Sequence, residues 1–217
     1  METESKVLKD KDIREPLFSF LEEYFGKVRI FEEKITGRAR ADVVMVTPGK
    51  LYGIEIKSDA DSYVRLKRQV EYYDKYYDRN VVVVGFTHAH HVSEHVPDYW
   101  GIISVEIIDE KVDFYVIREA ADNPNVLAEN KIKLLWRPEL NHLLEINVLP
   151  AYKSMSKPFV QGRILALVPE DVLWNQVTDE LFERDYEKMI EEINAFRKSK
   201  GKRRRAKPRK SKYYKKK

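Results

Sequence analysis

The residues whose types and spacing could do chemistry together are Asp42, Glu55 and Lys57. They lie in the stretch Arg40-Ala-Asp-Val-Val-Met-Val46, Thr47-Pro-Gly-Lys50, Leu51-Tyr-Gly-Ile-Glu-Ile-Lys57. If residues 47–50 turn an antiparallel hairpin, Val46 faces Leu51, and counting back places Asp42 directly opposite Glu55. Side chains alternate along a strand, so Lys57 shares a face with Glu55, while Ile54 and Ile56 share the other with Ala41, Val43 and Met45. The Cβ atoms of such a cross-strand pair lie roughly 4.5–5.5 Å apart, where two like charges destabilise the hairpin unless something positive sits between them. A hard divalent cation would do this. Mg²⁺, with Mn²⁺ able to substitute, prefers oxygen ligands, and two carboxylates with water and a phosphate complete its shell. A surface hairpin whose acids pair with Lys57 and Arg40 would do it equally well, and spacing alone leaves both readings open.

Several elements must position this hairpin. Residues 12–25 carry Leu17, Phe18, Phe20, Leu21, Tyr24 and Phe25 at near-helical spacing, which predicts a helix from about Pro16 that Gly26 closes. The runs KVRIFEEK, RADVVMV and LYGIEIK read as successive strands. A second helix is expected over 61–78, capped by Asp59 or Asp61, with Leu66, Val70, Tyr73 and Tyr77 on its inner stripe. The continuous apolar run NVVVVGF then predicts a strand reached by a crossover. A short helix at 89–96 and the strands GIISVEI and KVDFYVIR, turned at Asp109-Glu110, complete an α/β core. After about residue 120 the pattern changes, and helices are expected at 137–146, 158–167 and 170–198. The organisation read from the chain is a core at 1–120, a helical extension packed on it at 121–197, and a basic tail at 198–217.

Composition narrows the function. Apolar residues at 43% and charged residues at 35% fit a soluble α/β protein. The absence of cysteine removes disulfides, thiolate zinc sites and cysteine nucleophiles, and suits a reducing cytoplasm. The first residues lack the apolar core of a signal peptide, and no run is long enough to cross a bilayer, so no membrane partner is expected. The net charge of +4 is uneven: residues 198–217 hold thirteen Lys or Arg and no acid, leaving 27 basic against 36 acidic groups elsewhere, about −9. Such a tail is expected to be disordered until it meets a polyanion. Arg203, Arg204, Arg205, Lys207, Arg209 and Lys210 are candidate phosphate contacts, and Tyr213 and Tyr214 could stack on bases. Arg40 and Arg65, flanking the hairpin elements, are added to the nucleic-acid-binding set.

An ordered series of motifs carries a resemblance. Arg40-Ala41-Asp42, Glu55-Ile56-Lys57-Ser58-Asp59, Arg65-Leu66 with Gln69-Val70, Trp100-Gly101, and Leu135-Trp136-Arg137 with Glu139-Leu140 follow one another. The series resembles the sce7726 family, bacterial and phage proteins of the PD-(D/E)XK nuclease superfamily, over roughly residues 12–185. The resemblance implies a restriction-endonuclease-like mixed β-sheet flanked by helices, with a helical C-terminal region and a disordered basic tail. It also implies phosphodiester hydrolysis, with DNA the expected substrate, Asp42 and Glu55 as metal ligands and Lys57 near the attacking water. The backbone carbonyl of Ile56 is a further ligand in similar enzymes. Gln69 and Tyr73, spaced i and i+4 on one helix face, resemble the Q-x-x-x-Y element of some superfamily members. An acid preceding the hairpin often supplies another ligand there; Glu33 is the first candidate and Glu22 the second, with Glu23 and Glu32 behind them. Ala41 stands where the superfamily's name has proline, a common departure.

Other residues attract attention and lead elsewhere. His88, His90, His91 and His95 lack the H-E-x-x-H zinc spacing and read as structural or surface histidines. Trp100 and Trp136 read as core aromatics rather than base-stacking platforms. Two alternatives to a nuclease fit the same chain: a non-catalytic nucleic-acid-binding module on a nuclease fold, and a phage or host protein-interaction factor. The sequence leaves oligomeric state open.

Overall fold

Six strands pair in chain order into one mixed sheet: β1 (Arg29–Thr36), β2 (Ala39–Thr47), β3 (Lys50–Lys57), β4 (Arg79–Gly85), β5 (Gly101–Ile108) and β6 (Lys111–Arg118). The structure is a computed structural model that describes residues 8–36 and 39–185, with positions 188, 191, 194, 195, 198 and 199 beyond; side chains at 33–36 and 39 are outside the description. Strands β1, β2 and β3 are antiparallel neighbours, β3, β4 and β5 run parallel, and β6 returns antiparallel to β5. The β2–β3 hairpin has the expected register, with Val46 opposite Leu51 and Val43 opposite Ile54. Pro48 presets one turn dihedral, and Gly49 takes the φ of 75° that the next position demands. At the β5–β6 turn Asp109 and Glu110 both adopt positive φ, 48° and 64°, the geometry whose twist suits a two-residue hairpin.

Alternation along the strands gives the sheet two different faces. On one, Val43, Met45, Ile54, Ile56, Val81, Val83, Ile103 and Val105 pack with Ile13, Leu17, Phe18 and Leu21 of α1 (Asp10–Phe25). On the other, α2 (Leu66–Tyr73) brings Tyr73 against the sheet at Gly53, with Tyr77 beyond its end. The chain is therefore α/β, a six-stranded mixed sheet flanked by helices.

Several expected boundaries move. Helix α1 begins at Asp10 instead of Pro16, because Leu8 and Ile13 are already buried and Asp12 accepts the Lys9 backbone N–H at 3.2 Å. Pro16 then lies inside the helix. Helix α2 is shorter than 61–78: a 3₁₀ turn at Tyr63–Arg65 precedes it, and it stops at Tyr73. Just beyond, the Asp74 carboxylate is drawn to Asn80, Tyr99 and Trp100 at 3.0, 2.6 and 2.8 Å. Asp59 and Asp61 do not cap α2: Asp61 accepts from the Ser58 N–H and hydroxyl, and Asp59 from Thr87. The expected helix at 89–96 is two short 3₁₀ turns, Phe86–His88 and Val92–Glu94. Trp100 is fully buried, as read.

The chain divides into two compact units after Leu134, not near residue 120. Residues 121–134, including the short helix α3 (Ala128–Lys131), belong with the sheet for a physical reason. The Asn123 amide donates to the carbonyls of Asp74 and Tyr77, both at 2.7 Å, and buried Lys131 donates to Asp78 at 2.7 Å. The second unit contains α4 (Arg137–Ile146), α5 (Lys157–Leu167) and α6 (Glu170–Phe182), whose buried Leu140, Leu143, Leu144, Val160, Ile164, Leu173, Val177 and Leu181 form its apolar interior. The helix expected to run from 170 to 198 breaks after Phe182. Arg184 is buried there, donating to Glu139 at 2.6 and 2.8 Å and lying over the half-buried Trp136 ring. Among the described residues no helix is long and apolar enough to cross a membrane.

Candidate active site

At the carboxyl end of β3, where the β2–β3 ladder runs out, the first turns of α1, the hairpin and α2 surround an open cleft of about 420 Å³. Asp42 lies one step beyond the last paired rung, and Glu55 lies across from it on β3. Both line the cleft, as do Ile56 and Lys57. Glu55 and Lys57 are almost inaccessible, at 1% and 4% exposure, because α2 covers this end of the strand.

Each carboxylate oxygen has a donor. Asp42 Oδ2 accepts the Ile56 backbone N–H at 3.0 Å, and Oδ1 accepts Arg14 Nη2 at 3.3 Å. Glu55 Oε1 accepts from Lys57 Nζ at 2.7 Å and from Gln69 Nε2; Oε2 accepts from the Tyr73 hydroxyl at 2.6 Å. The same hydroxyl accepts the Asp42 backbone N–H at 3.2 Å, so Tyr73 ties both strands of the hairpin to α2. Burial pushes the Glu55 carboxyl up to about 7, and the charge of Asp42 adds to the rise while Lys57 opposes it. Burial also raises Asp42, against the lowering effects of the Ile56 N–H and the Arg14 charge. Tyr73 is held well above its ordinary value, first by burial and then by the two nearby carboxylates, so its hydroxyl keeps its proton and remains a donor.

The donor set fits a hard divalent cation. It offers oxygen only: two carboxylates that repel each other and one main-chain carbonyl. The N–H and C=O of a strand residue point to the same side, so the Ile56 carbonyl lies on the side of its N–H, toward Asp42. Among the described residues there is no group of three or more acidic or histidine side chains placed to hold a metal, so a cation here would complete its shell with that carbonyl, water and substrate oxygens.

The structure brings together eight of the residues singled out from the chain. Asp42, Glu55, Ile56, Lys57, Gln69, Arg40 and Arg65 line one cleft, and Tyr73 lies directly behind Glu55. Gln69 and Tyr73 point at Glu55, holding the carboxylate in place. Glu22 is exposed in the last turn of α1 and does not line the cleft; the acid that α1 brings there is Asp10, three turns earlier. Glu33 lies on β1 between Glu32, paired with Val43, and Lys34, paired with Ala41; its side chain is outside the described residues. The tail residues Arg203, Arg204, Arg205, Lys207, Arg209, Lys210, Tyr213 and Tyr214 are also outside them. Asp10, Arg14 and Arg68 escaped the sequence reading. Asp10 and Arg14 carry a signal that could have found them, an acid and a base four apart on a helix; they pair at 2.7 Å. Of the histidines, His88 and His95 both lie against the Tyr63 ring, with centroids 4.9 and 4.4 Å away.

No curated protein and no solved structure matches the chain. A family model does, across residues 4–205, and by that match the chain belongs to the family described as bacteriophage P4 protein cII.

Proposed function

We propose that the protein is a metal-dependent nuclease of the PD-(D/E)XK kind, related to the sce7726 family and built on a restriction-endonuclease-like fold, that hydrolyses phosphodiester bonds, with DNA the favoured substrate. The observation that carries this is the placing of Asp42 and Glu55 on adjoining strands in one cleft with Lys57 Nζ on Glu55, within an arginine wall formed by Arg14, Arg40, Arg65 and Arg68. Asp42, Glu55 and the Ile56 carbonyl would hold Mg²⁺ or Mn²⁺, which supplies activation of water and neutralisation of phosphate charge. Lys57 Nζ, released from Glu55, would have donors for the attacking water or a nonbridging phosphate oxygen. The arginines suit the phosphates on either side, since a guanidinium meets two phosphate oxygens at once. Gln69 and Tyr73 fix the Glu55 rotamer and so the spacing of the two acids.

The test is hydrolysis of linear, circular and branched DNA by the purified full chain with Mg²⁺ or Mn²⁺. Cleavage should fall at least about 100-fold in Asp42→Asn and Lys57→Ala, consistent with the 10²–10⁴-fold that positioned groups supply. Absence of cleavage of any nucleic acid by the wild-type protein contradicts the proposal. One observation favours a second reading, a non-catalytic nucleic-acid-binding or protein-interaction factor on the same fold: Arg14 and Lys57 already balance both acids without a metal. In that case DNA is bound without turnover, and neither substitution changes a product.

A further inference from the structure

We propose that Arg14 is a resident counter-ion of the site, holding Asp42 until a divalent cation takes its place and then offering its freed N–H groups to a phosphate. The proposal rests on the metal-dependent reading of the cleft. A cation at both carboxylates repels the positive groups already on them, Lys57 at Glu55 and Arg14 at Asp42. On Asp42 the geometry decides which donor gives way. The Ile56 N–H is main chain, fixed by the strand at 3.0 Å, whereas Arg14 is a side chain from another element at 3.3 Å.

Arg14 can release Asp42 without leaving the cleft wall. Its Nε can stay on Asp10 at 2.7 Å while the planar group turns away from Asp42, giving up the contacts of Nη1 with the main-chain oxygen at 3.1 Å and of Nη2 with Oδ1. The Asp10 contact holds the guanidinium at the cleft wall with its Nη1–Nη2 edge turned off Asp42, and the group suited to such an edge there is a phosphate. Cation and phosphate binding then favour each other through one residue: the cation frees the guanidinium, and the phosphate keeps it off Asp42. By linkage the effect is reciprocal. Arg14 is thus a positioning residue acting through Asp42, and Asp10 is the anchor that decides how strongly it leans on that carboxylate.

The test reads Mn²⁺ affinity at pH 8 from the electron paramagnetic resonance of the free ion, using the full chain with and without an uncleavable phosphorothioate DNA. In the wild-type protein DNA should tighten Mn²⁺ binding. Arg14→Met should bind Mn²⁺ on the order of tenfold more tightly without DNA, the size of one lost charge-assisted contact, and DNA should no longer add to it. Arg14→Lys, which restores a positive charge, should return toward the wild-type affinity. Asp10→Asn, a change at a half-buried position, removes the charge of the anchor and should weaken Mn²⁺ binding about threefold, so the proposal stays testable if Arg14→Met fails to fold. Mn²⁺ affinity unchanged or weaker in folded Arg14→Met, or unchanged in Asp10→Asn, overturns it. If the wild-type protein cleaves DNA and binds Mn²⁺ while Arg14→Met gains nothing, only the counter-ion role falls; if it binds no Mn²⁺ at all, the reading of the cleft falls too.

Discussion

Glu55 is buried beside a second carboxylate, and its pKa of about 7 expresses the cost of that placement. A carboxyl raised in the folded state binds its proton more tightly than the unfolded chain does. Its contribution to stability therefore falls as pH rises from its ordinary value near 4.5 through 7, and the cost, on the order of 3 kcal/mol, is complete above that. Asp42 is raised as well and acts in the same direction. A divalent cation bound by the two acids removes this cost, so the rise in melting temperature given by Mn²⁺ should be several degrees larger at pH 8 than at pH 5.5. An equal rise at both pH values, measured by thermal unfolding, would separate the cation from Glu55. At this scale the sequence was informative about the pair itself, since strand alternation and a four-residue turn fix which side chains share a face. It was silent on Arg14 and Arg68, because reaching a cleft from another element is a tertiary property.

Among the elements, the hairpin register was legible from Pro48-Gly49 and the alternating apolar residues, and it determines where Asp42 and Glu55 fall. The reach of α2 was not. Tyr73 lies on the apolar stripe of that helix and so read equally as core; in the structure it is both, buried in the core with its hydroxyl on Glu55. Gly53 makes this possible. A Cβ there would lie 2.2 Å from Tyr77 Cδ2 and 2.7 Å from Tyr73 Cδ1, so any side chain forces both rings off the sheet. Gly53→Ala should cost about 1–3 kcal/mol by overpacking, measured by denaturant unfolding, and should lower the proposed nuclease activity more than stability explains, because Tyr73 is displaced from Glu55. A variant with wild-type stability and activity would show that the ring contact is not what places the acid. The early start of α1 was missed because Pro16 looked like a first-turn residue, although Asp10 and Ile13 already belong to the helix.

For the whole molecule, charge and division into units matter together. The chain carries about −9 outside its last twenty residues, yet four arginines gather at the one cleft that holds the acid pair, which suits a phosphate-bearing ligand more than a general polyanion surface. Asn-Pro-Asn at 123–125 reads as a linker in the sequence, whereas the division into compact units falls after Leu134. Asn123 instead locks the segment to the end of α2 through two main-chain carbonyls. Membership of the bacteriophage P4 protein cII family spans both units, so the helical unit is part of what the family shares. The most direct measurement is an anomalous difference map from crystals of the full chain soaked in Mn²⁺. A peak within ligand distance of Asp42, Glu55 and the Ile56 carbonyl is the expected result. A map without density there, with Lys57 still on Glu55 and Arg14 still on Asp42, would contradict the account.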